Sequence, residues 1–373
     1  MNHNKIIITV LLILFGTVLN VHAQKFTHPG VLHTGERIKY MCILIEEQVE
    51  PAYGSFLLLK EHPCAQADYK MKGPFRVISR DGAFGYTKGK MESDFSAAYL
   101  NSLMWMLTGN KAHAEKSLAI LSTYADSLQM IPKTNDAPLL AGLEGFKIIY
   151  SLEILKHTYS GVSKKKIGKI EQMFKRLFIP IMDAFYAAPP YTNGNWGPVV
   201  TKTYMAAGIC FDDRKMYDRA KDFYLHADDN GTIANYIDGE TGQTQESGRD
   251  QGHPQLALGA MATVCELAWQ QGDDLYSALD NRLLKGYEYV AKYNLGYDVP
   301  FKQWTDVTGK YCGWAVISEK SRGAFRPIYE IAYNHFMRRK GFPMPYTLEV
   351  LKKIRPEGFE RDEPAFGSLL FND

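Results

Sequence analysis

The sequence predicts an all-α protein, an α/α toroid built from antiparallel helix hairpins. Three observations carry this expectation. Segments with apolar residues at three- and four-residue spacing fill roughly 250 positions, mostly in pairs separated by short turns. Strand signals are thin: 43–45 and 315–318 are short candidates, with no strand–helix alternation and no nucleotide-binding glycine fingerprint. No linker divides 24–373, so one domain is expected. Periodicity alone also fits a globin-like or solenoid packing.

The first 23 residues are read as an export signal. Lys5 precedes an apolar run, 6–19, that ends at Val21-His22-Ala23. The run is short for a membrane span, and no Cys follows Ala23 to take a lipid. A periplasmic or secreted product without a membrane anchor is expected.

Residues 24–92, with scattered Pro and Gly, read as irregular. Ser93 is placed as the cap of a helix over 93–107 that Gly109 closes. Helices follow at 112–128, 138–159, 163–186, 197–210, 215–227 and 251–271. In 273–293, Leu275, Leu279, Leu283, Tyr287 and Val290 recur at helical steps, and Asp273 or Asp274 is placed as the cap. The last helices are expected at 325–339 and 346–354, with Arg326 and Glu330 as an i,i+4 pair.

Composition narrows the function classes. Of the 373 residues, 46% are apolar and 23% charged, which excludes disordered, collagen-like and polytopic membrane chains. A net charge of +2 argues against nucleic-acid binding, and a polyanionic partner would need local counter-charge. The five Cys have no CxxC spacing; a Cys42–Cys64 bridge and buried free thiols both stay open. No HxxxH, HExxH or calcium loop occurs, so neither metal nor cofactor is expected. Asp228-Asp229-Asn230-Gly231 reads as a turn.

Two polar, Gly-rich stretches stand before helices, where backbone amides can meet an anion. The first is Tyr191-Thr192-Asn193-Gly194-Asn195-Trp196-Gly197-Pro198. Asn193 and Asn195 could donate to a carboxylate and Trp196 could stack on a sugar; a plain turn with Trp196 in the core is the alternative. The second runs from Gly242 to His253 and includes Gln245, Glu246, Arg249 and Asp250. Arg249 and His253 would share a face if the helix began near Arg249, with Asp250 holding the Arg or capping the helix. Tyr293 and Tyr297 lie where a helix ends, and Arg322 and Arg326 flank a Gly.

With "HPGVL" at 28–32, the segments "NGNWG", "ESGRDQGH" and "SRGAFRPIYE" resemble the alginate-lyase superfamily of helical-toroid polysaccharide lyases, polysaccharide lyase family 38 in particular. The resemblance implies metal-independent β-elimination of a uronic-acid polymer, with mannuronate-rich alginate preferred and glucuronan as the alternative. It makes Asn195 the neutraliser of the substrate carboxylate, with Asn193 as substitute and Arg249 assisting. It makes His253 and either Tyr293 or Tyr297 the proton-transfer groups. Gln245, Glu246, Trp196, Arg322 and Arg326 would bind substrate. One departure stands out: the family's Asn-His pair is here Asn195-Trp196. A glycoside hydrolase using Glu246, Asp250 or Asp298, and a glycan-binding protein, are the competing readings.

Overall fold

The computed structural model describes residues 25–188 and 190–372; the expected signal peptide lies outside them. Two short helices come first, α1 (Gly35–Glu46) and α2 (Ala52–Glu61). Hairpins follow: α3 (Lys88–Thr108) with α4 (Lys111–Ser127), then α5 (Ala137–Thr158) with α6 (Lys164–Leu177) and α7 (Ile179–Ala187). The next pairs are α8 (Trp196–Cys210) with α9 (Arg214–His226) and, past the one-turn α10 (Ile233–Tyr236), α11 (Gly252–Gln270) with α12 (Ala278–Asn294). Helices α13 (Tyr329–Tyr333), α14 (Pro345–Ile354) and α15 (Gly367–Leu370) end the chain.

Packing order makes this an α/α toroid. Helix α3 packs on α5, α5 on α8, and α8 on α11, forming an inner layer. Helices α4, α6, α9 and α12 each pack behind a member of that layer. The ring returns to its start through α13, α15 and α2, which reaches α3. Inner helices are buried on almost every side, whereas α6 and α9 bury one stripe each. One apolar cluster runs from Val31 to Phe371. No helix among the described residues is long and apolar enough to cross a membrane.

Local chemistry explains most boundaries. Asn110, Ser163 and Asp213 cap α4, α6 and α9 through side-chain oxygens, and Gly109 closes α3 at φ +66°. Several expectations need correction. Residues 24–92 contain α1 and α2, and 43–45 are helical rather than extended. Residues 315–318 belong to no strand; among the described residues only two isolated bridges occur. Ser93 lies inside α3, its hydroxyl donating to Gly89 O at 2.7 Å. The 163–186 helix breaks at Phe178, because Pro180 sits in the first turn of α7. Helix α12 starts late: Leu279, Asp280 and Asn281 take positive φ, so Leu279 is exposed while Leu275, Leu283, Tyr287 and Val290 are buried. The 325–339 helix begins only at Tyr329, and 334–339 widen to π geometry. Glu330 does not pair with Arg326; it receives Arg355 through two bonds of 2.6 and 3.0 Å. All five cysteines are free, so the Cys42–Cys64 bridge is not formed.

The C-terminal segment is tied inward by polar bonds. Tyr99 donates to Pro364 O at 2.6 Å, and the buried Lys202 to Asp362 O at 2.7 Å. Burial pushes the neighbouring Glu363 carboxyl up to about 8, against the opposing pull of Lys202. Glu363 therefore holds its proton more tightly folded than unfolded. Its contribution is complete below the unfolded value of about 4.3 and is lost as pH rises through about 8. Urea midpoints are expected to fall between pH 5 and pH 8, and Glu363→Gln to flatten that slope. An unchanged slope in the variant would show that other groups cause it.

Candidate active site

Helices α5, α8 and α11 begin at the same end of the ring, around a cleft of about 360 Å³. Leu139 and Leu143 of α5 line it, as do Asn195 and Trp196 at the start of α8 and Gly252 and His253 at the start of α11. Arg80, Lys320, Arg326, Asp250 and Asp362 complete much of the wall. Helix N-termini carry partial positive charge, here with the first amides of α11 accepted by Asp250 and that of Asn195 by Glu246. Together with three cationic side chains they supply the local counter-charge that the net charge does not show. Arg326 is the most telling of these. Its Nη1 is buried without a hydrogen bond and stands 3.7 Å from both Glu360 and Asp362.

His253 is oriented by Asp250. Its Nδ1 lies 2.7 Å from Asp250 Oδ2, while Asp250 Oδ1 accepts the Gly252 and His253 amides at 2.9 Å. Burial disfavours the Asp250 charge, yet the bonds from His253 and these amides outweigh it and hold the carboxyl well below the usual range. With Nδ1–H donated to the carboxylate, Nε2 keeps its lone pair. Asp250 thus caps α11 and fixes the imidazole; it does not hold Arg249. Because α11 starts at Gly252, Arg249 and His253 do not share a helical face.

The two loops are joined by Glu246, which is fully buried. It accepts Asn195 N at 3.0 Å, Asn195 Nδ2 at 2.9 Å, Tyr236 Oη at 3.0 Å and Arg249 Nη1 at 2.7 Å. The amide donor of Asn195 and the guanidinium of Arg249, both expected to face a substrate carboxylate, are therefore directed at Glu246. Arg249 also donates to Asn193 Oδ1 at 3.0 Å. Gln245 and Glu246 lie beneath the cleft and do not line it. Trp196 is mostly buried, with Tyr191 packed on it, and offers only part of its ring to the cleft.

The segment 318–322 separates this cleft from a second of about 720 Å³, lined by Tyr293, Trp314 and Arg322. The Arg322 guanidinium stacks 3.9 Å from the centre of the Tyr293 ring. Burial pushes the Tyr293 phenol up, against Arg322. Tyr297 is turned the other way: its hydroxyl reaches Glu349 of α14 and its ring meets Tyr346. It lines neither cleft.

One tyrosine escaped the sequence reading. Tyr311 donates to Asn193 Oδ1 at 2.6 Å and packs against Trp314. Burial raises its phenol, Arg249 opposes this, and Glu246 and Asp250 are near enough to be felt. Its signal was a Tyr and a Trp within the Gly-rich run Thr308-Gly309-Lys310-Tyr311-Cys312-Gly313-Trp314, away from any helix. Arg80, Lys320 and Asp362 were also missed, since each joins the cleft from a distant part of the chain.

The turn at 228–231 clamps the first loop. Asp229 accepts Tyr191 N at 3.0 Å and Gly231 N at 2.7 Å, and Asn230 donates to Tyr191 O at 2.8 Å. A Cβ on Gly231 would stand 2.6 Å from Gly197 Cα and 2.8 Å from Gly194 O, both backbone atoms. Gly231→Ala is expected to cost about 2–3 kcal/mol in urea unfolding and to lower turnover by shifting Asn195. A stable and fully active variant would refute the close packing of these two turns.

A family model described as alginate lyase matches residues 59–299. The chain belongs to the alginate lyase family. As a member of that family it is a polysaccharide lyase. Its fold is that of alginate lyase A1-III from Sphingomonas species A1, with TM-score 0.65 at 14% identity over 90% of this chain and 94% of that one. A histidine-to-alanine variant of the same enzyme, complexed with tetrasaccharide, gives 0.67 at 14% identity over the same shares. An alginate lyase from Bacteroides ovatus gives 0.56 at 13% identity over 93% of this chain and 100% of that one. No curated protein matches the chain. Of the three carboxylates in the competing hydrolase reading of this alginate lyase family member, Glu246 is committed to the loop junction and Asp250 to His253, while Asp298 lines the second cleft.

Proposed function

We propose that the chain cleaves alginate, with mannuronate-rich blocks preferred, by metal-independent β-elimination outside the cytoplasm. The observation that carries this is the Asp250-oriented His253 at a cleft that also holds the unsatisfied Arg326 donor. The substrate carboxylate sits among Arg326, Arg80 and Lys320, which stabilises the enolate-like transition state. His253 Nε2 removes the C5 proton. The C5–H electrons form the C4=C5 bond as the C4–O4 bond breaks, and O4 takes a proton from a phenol.

Tyr311 is our assignment for that phenol; it lines neither cleft at rest and reaches O4 by turning away from Asn193. Burial keeps it protonated at rest, as a proton donor requires. His253 opens α11, and Tyr311 meets Asn193, two residues before the Asn195 that opens α8. Proton removal and delivery on one side of the sugar suit mannuronate, whose C5 hydrogen and O4 share a side. Glu246 anchors Asn195 and Arg249 so that both loops keep their shape.

The test is ultraviolet absorbance of the unsaturated uronate on poly-mannuronate, poly-guluronate and glucuronan in the presence of a chelator. Turnover is expected on poly-mannuronate. Tyr311→Phe should reduce it by about 10² or more and Tyr293→Phe by less than about tenfold. The reverse order would transfer the role to Tyr293. A flat trace on all three polymers would sink the substrate assignment.

A further inference from the structure

The His28 motif near the start of the described chain takes no part in the cleft chemistry. His28 meets α5 through Glu153, with Nδ1 at 2.8 Å from Oε1, and the α8–α9 turn through Asp212, with Nε2 at 3.2 Å from Oδ1. One turn beyond Glu153, His157 brings Nε2 to 3.4 Å from Glu153 Oε2. Ligand atoms of His28, Glu153 and His157 all lie within 4.8 Å of one another. Three segments distant in sequence thus converge: the chain before α1, the C-terminal half of α5, and the turn after α8.

Glu153 supplies a second, separate observation. Its side chain is fully buried, yet Oε2 makes no hydrogen bond. Oε1, by contrast, accepts both His28 and Gly30 N. A buried carboxylate oxygen short of hydrogen bonds is costly, and a cation between it and the facing His157 Nε2 would remove that cost. The two imidazole rings stack at 4.4 Å with planes 10° apart. The thiol of Cys210 is buried beside Glu153, and Lys156 closes the far side by donating to Cys210 O and Glu171.

From this geometry we propose that His28, Glu153 and His157 bind one divalent transition-metal ion of the zinc class, with water as the fourth ligand and Asp212 orienting the His28 ring through its other nitrogen. Two imidazoles and a carboxylate are a zinc-type donor set, and Asp212 reaches the same His28 ring from the solvent side. Zinc bonds of about 2.0–2.1 Å need the ligand atoms closer together than 4.8 Å, which small rotations of the half-exposed imidazoles provide. On binding, the metal replaces the proton between His28 Nδ1 and Glu153, while Nε2 keeps its contact with Asp212.

The site is structural rather than catalytic. Leu143 lines the cleft, and Glu153 lies ten residues further along α5, about 15 Å away at the helical rise. Asp212 likewise follows the C-terminus of α8, whose N-terminus forms the cleft. The ion would pin the segment before α1 to the rim opposite the cleft. It leaves the elimination itself metal-independent, and it stands whether or not the substrate assignment holds.

The test uses the purified chain, stripped with chelator and then titrated with zinc chloride by calorimetry and thermal unfolding. One zinc per chain is expected, with Tm raised by about 2–5 °C. His157→Gln and His28→Gln should each weaken zinc binding at least tenfold and abolish the Tm shift. Lyase activity on poly-mannuronate should be unchanged in the His157→Gln variant and in chelator. His157 is partly exposed, so its variant should fold, and circular dichroism confirms this before titration. The absence of stoichiometric zinc binding, or binding unchanged in a folded His157→Gln variant, would overturn the proposal.

Discussion

His253→Ala lowers the rate of unsaturated-uronate formation by about 10³-fold, with KM changed much less. The imidazole acts on the C5 proton in the transition state, whereas Arg80, Lys320 and Arg326 still bind the polymer. Asp250→Asn separates orientation from chemistry. An amide in place of the carboxylate offers one acceptor oxygen and a donating NH2, so it no longer favours the tautomer with Nε2 free. A loss of about 10² in kcat is expected there, with α11 weakened by about 1 kcal/mol because Asp250 also accepts the Gly252 and His253 amides. If His253→Ala kept wild-type kcat, the base would have to be a tyrosine and the Asp250–His253 pair would be a helix cap only.

Glu246→Gln is expected to be the most damaging single change outside the cleft wall. The carboxylate accepts from Asn195, Tyr236 and Arg249 at once, with no exposure to water. A Gln offers one acceptor oxygen and turns an amide N–H toward donors. Arg249 is then left beside a neutral partner, and losing one member of a buried pair costs about 3–5 kcal/mol. Arg249 keeps part of its side chain in water, so the lower end of that range applies. Urea unfolding should register the loss, and activity per folded molecule should fall because the Asn193 and Asn195 loop loses its anchor. A variant as stable as the parent would mean that Asn195 and Arg249 are held by their helices and not by the carboxylate.

The helices were legible because the outer ones show their apolar stripe in sequence. Ile167, Ile170, Met173 and Phe174 of α6 are buried while its lysines face out. Inner helices such as α5 were legible by length and composition, since they are buried all round and carry no stripe. Helices α1 and α2 were missed because Pro and Gly nearby masked two short segments whose burial comes from α3 and α15. Around the cleft, the sequence led to the right loops but not to the direction of their side chains. Asn195 and Arg249 looked like substrate donors because Glu246, their acceptor, is 51 residues from Asn195. Tyr297 looked equivalent to Tyr293, yet the three residues between them cross the end of α12 and send one phenol inward and the other toward α14. Tyr311 lies in a run without periodicity, where no pattern marks a direction.

The return of the ring through α15 and α2 bears on how the chain acquires its fold. The first helices are covered by segments more than 300 residues later: Ser55 donates to Glu357 O at 2.7 Å, and α15 packs on α2. A growing chain can form the α3–α4 and α5–α6 hairpins as they emerge, since their contacts are local. It cannot close the circle until residue 370 is available, and the final step carries the entropy of the longest loop in the molecule. Truncations that remove only the last dozen residues should therefore behave as open arcs rather than as slightly shortened rings.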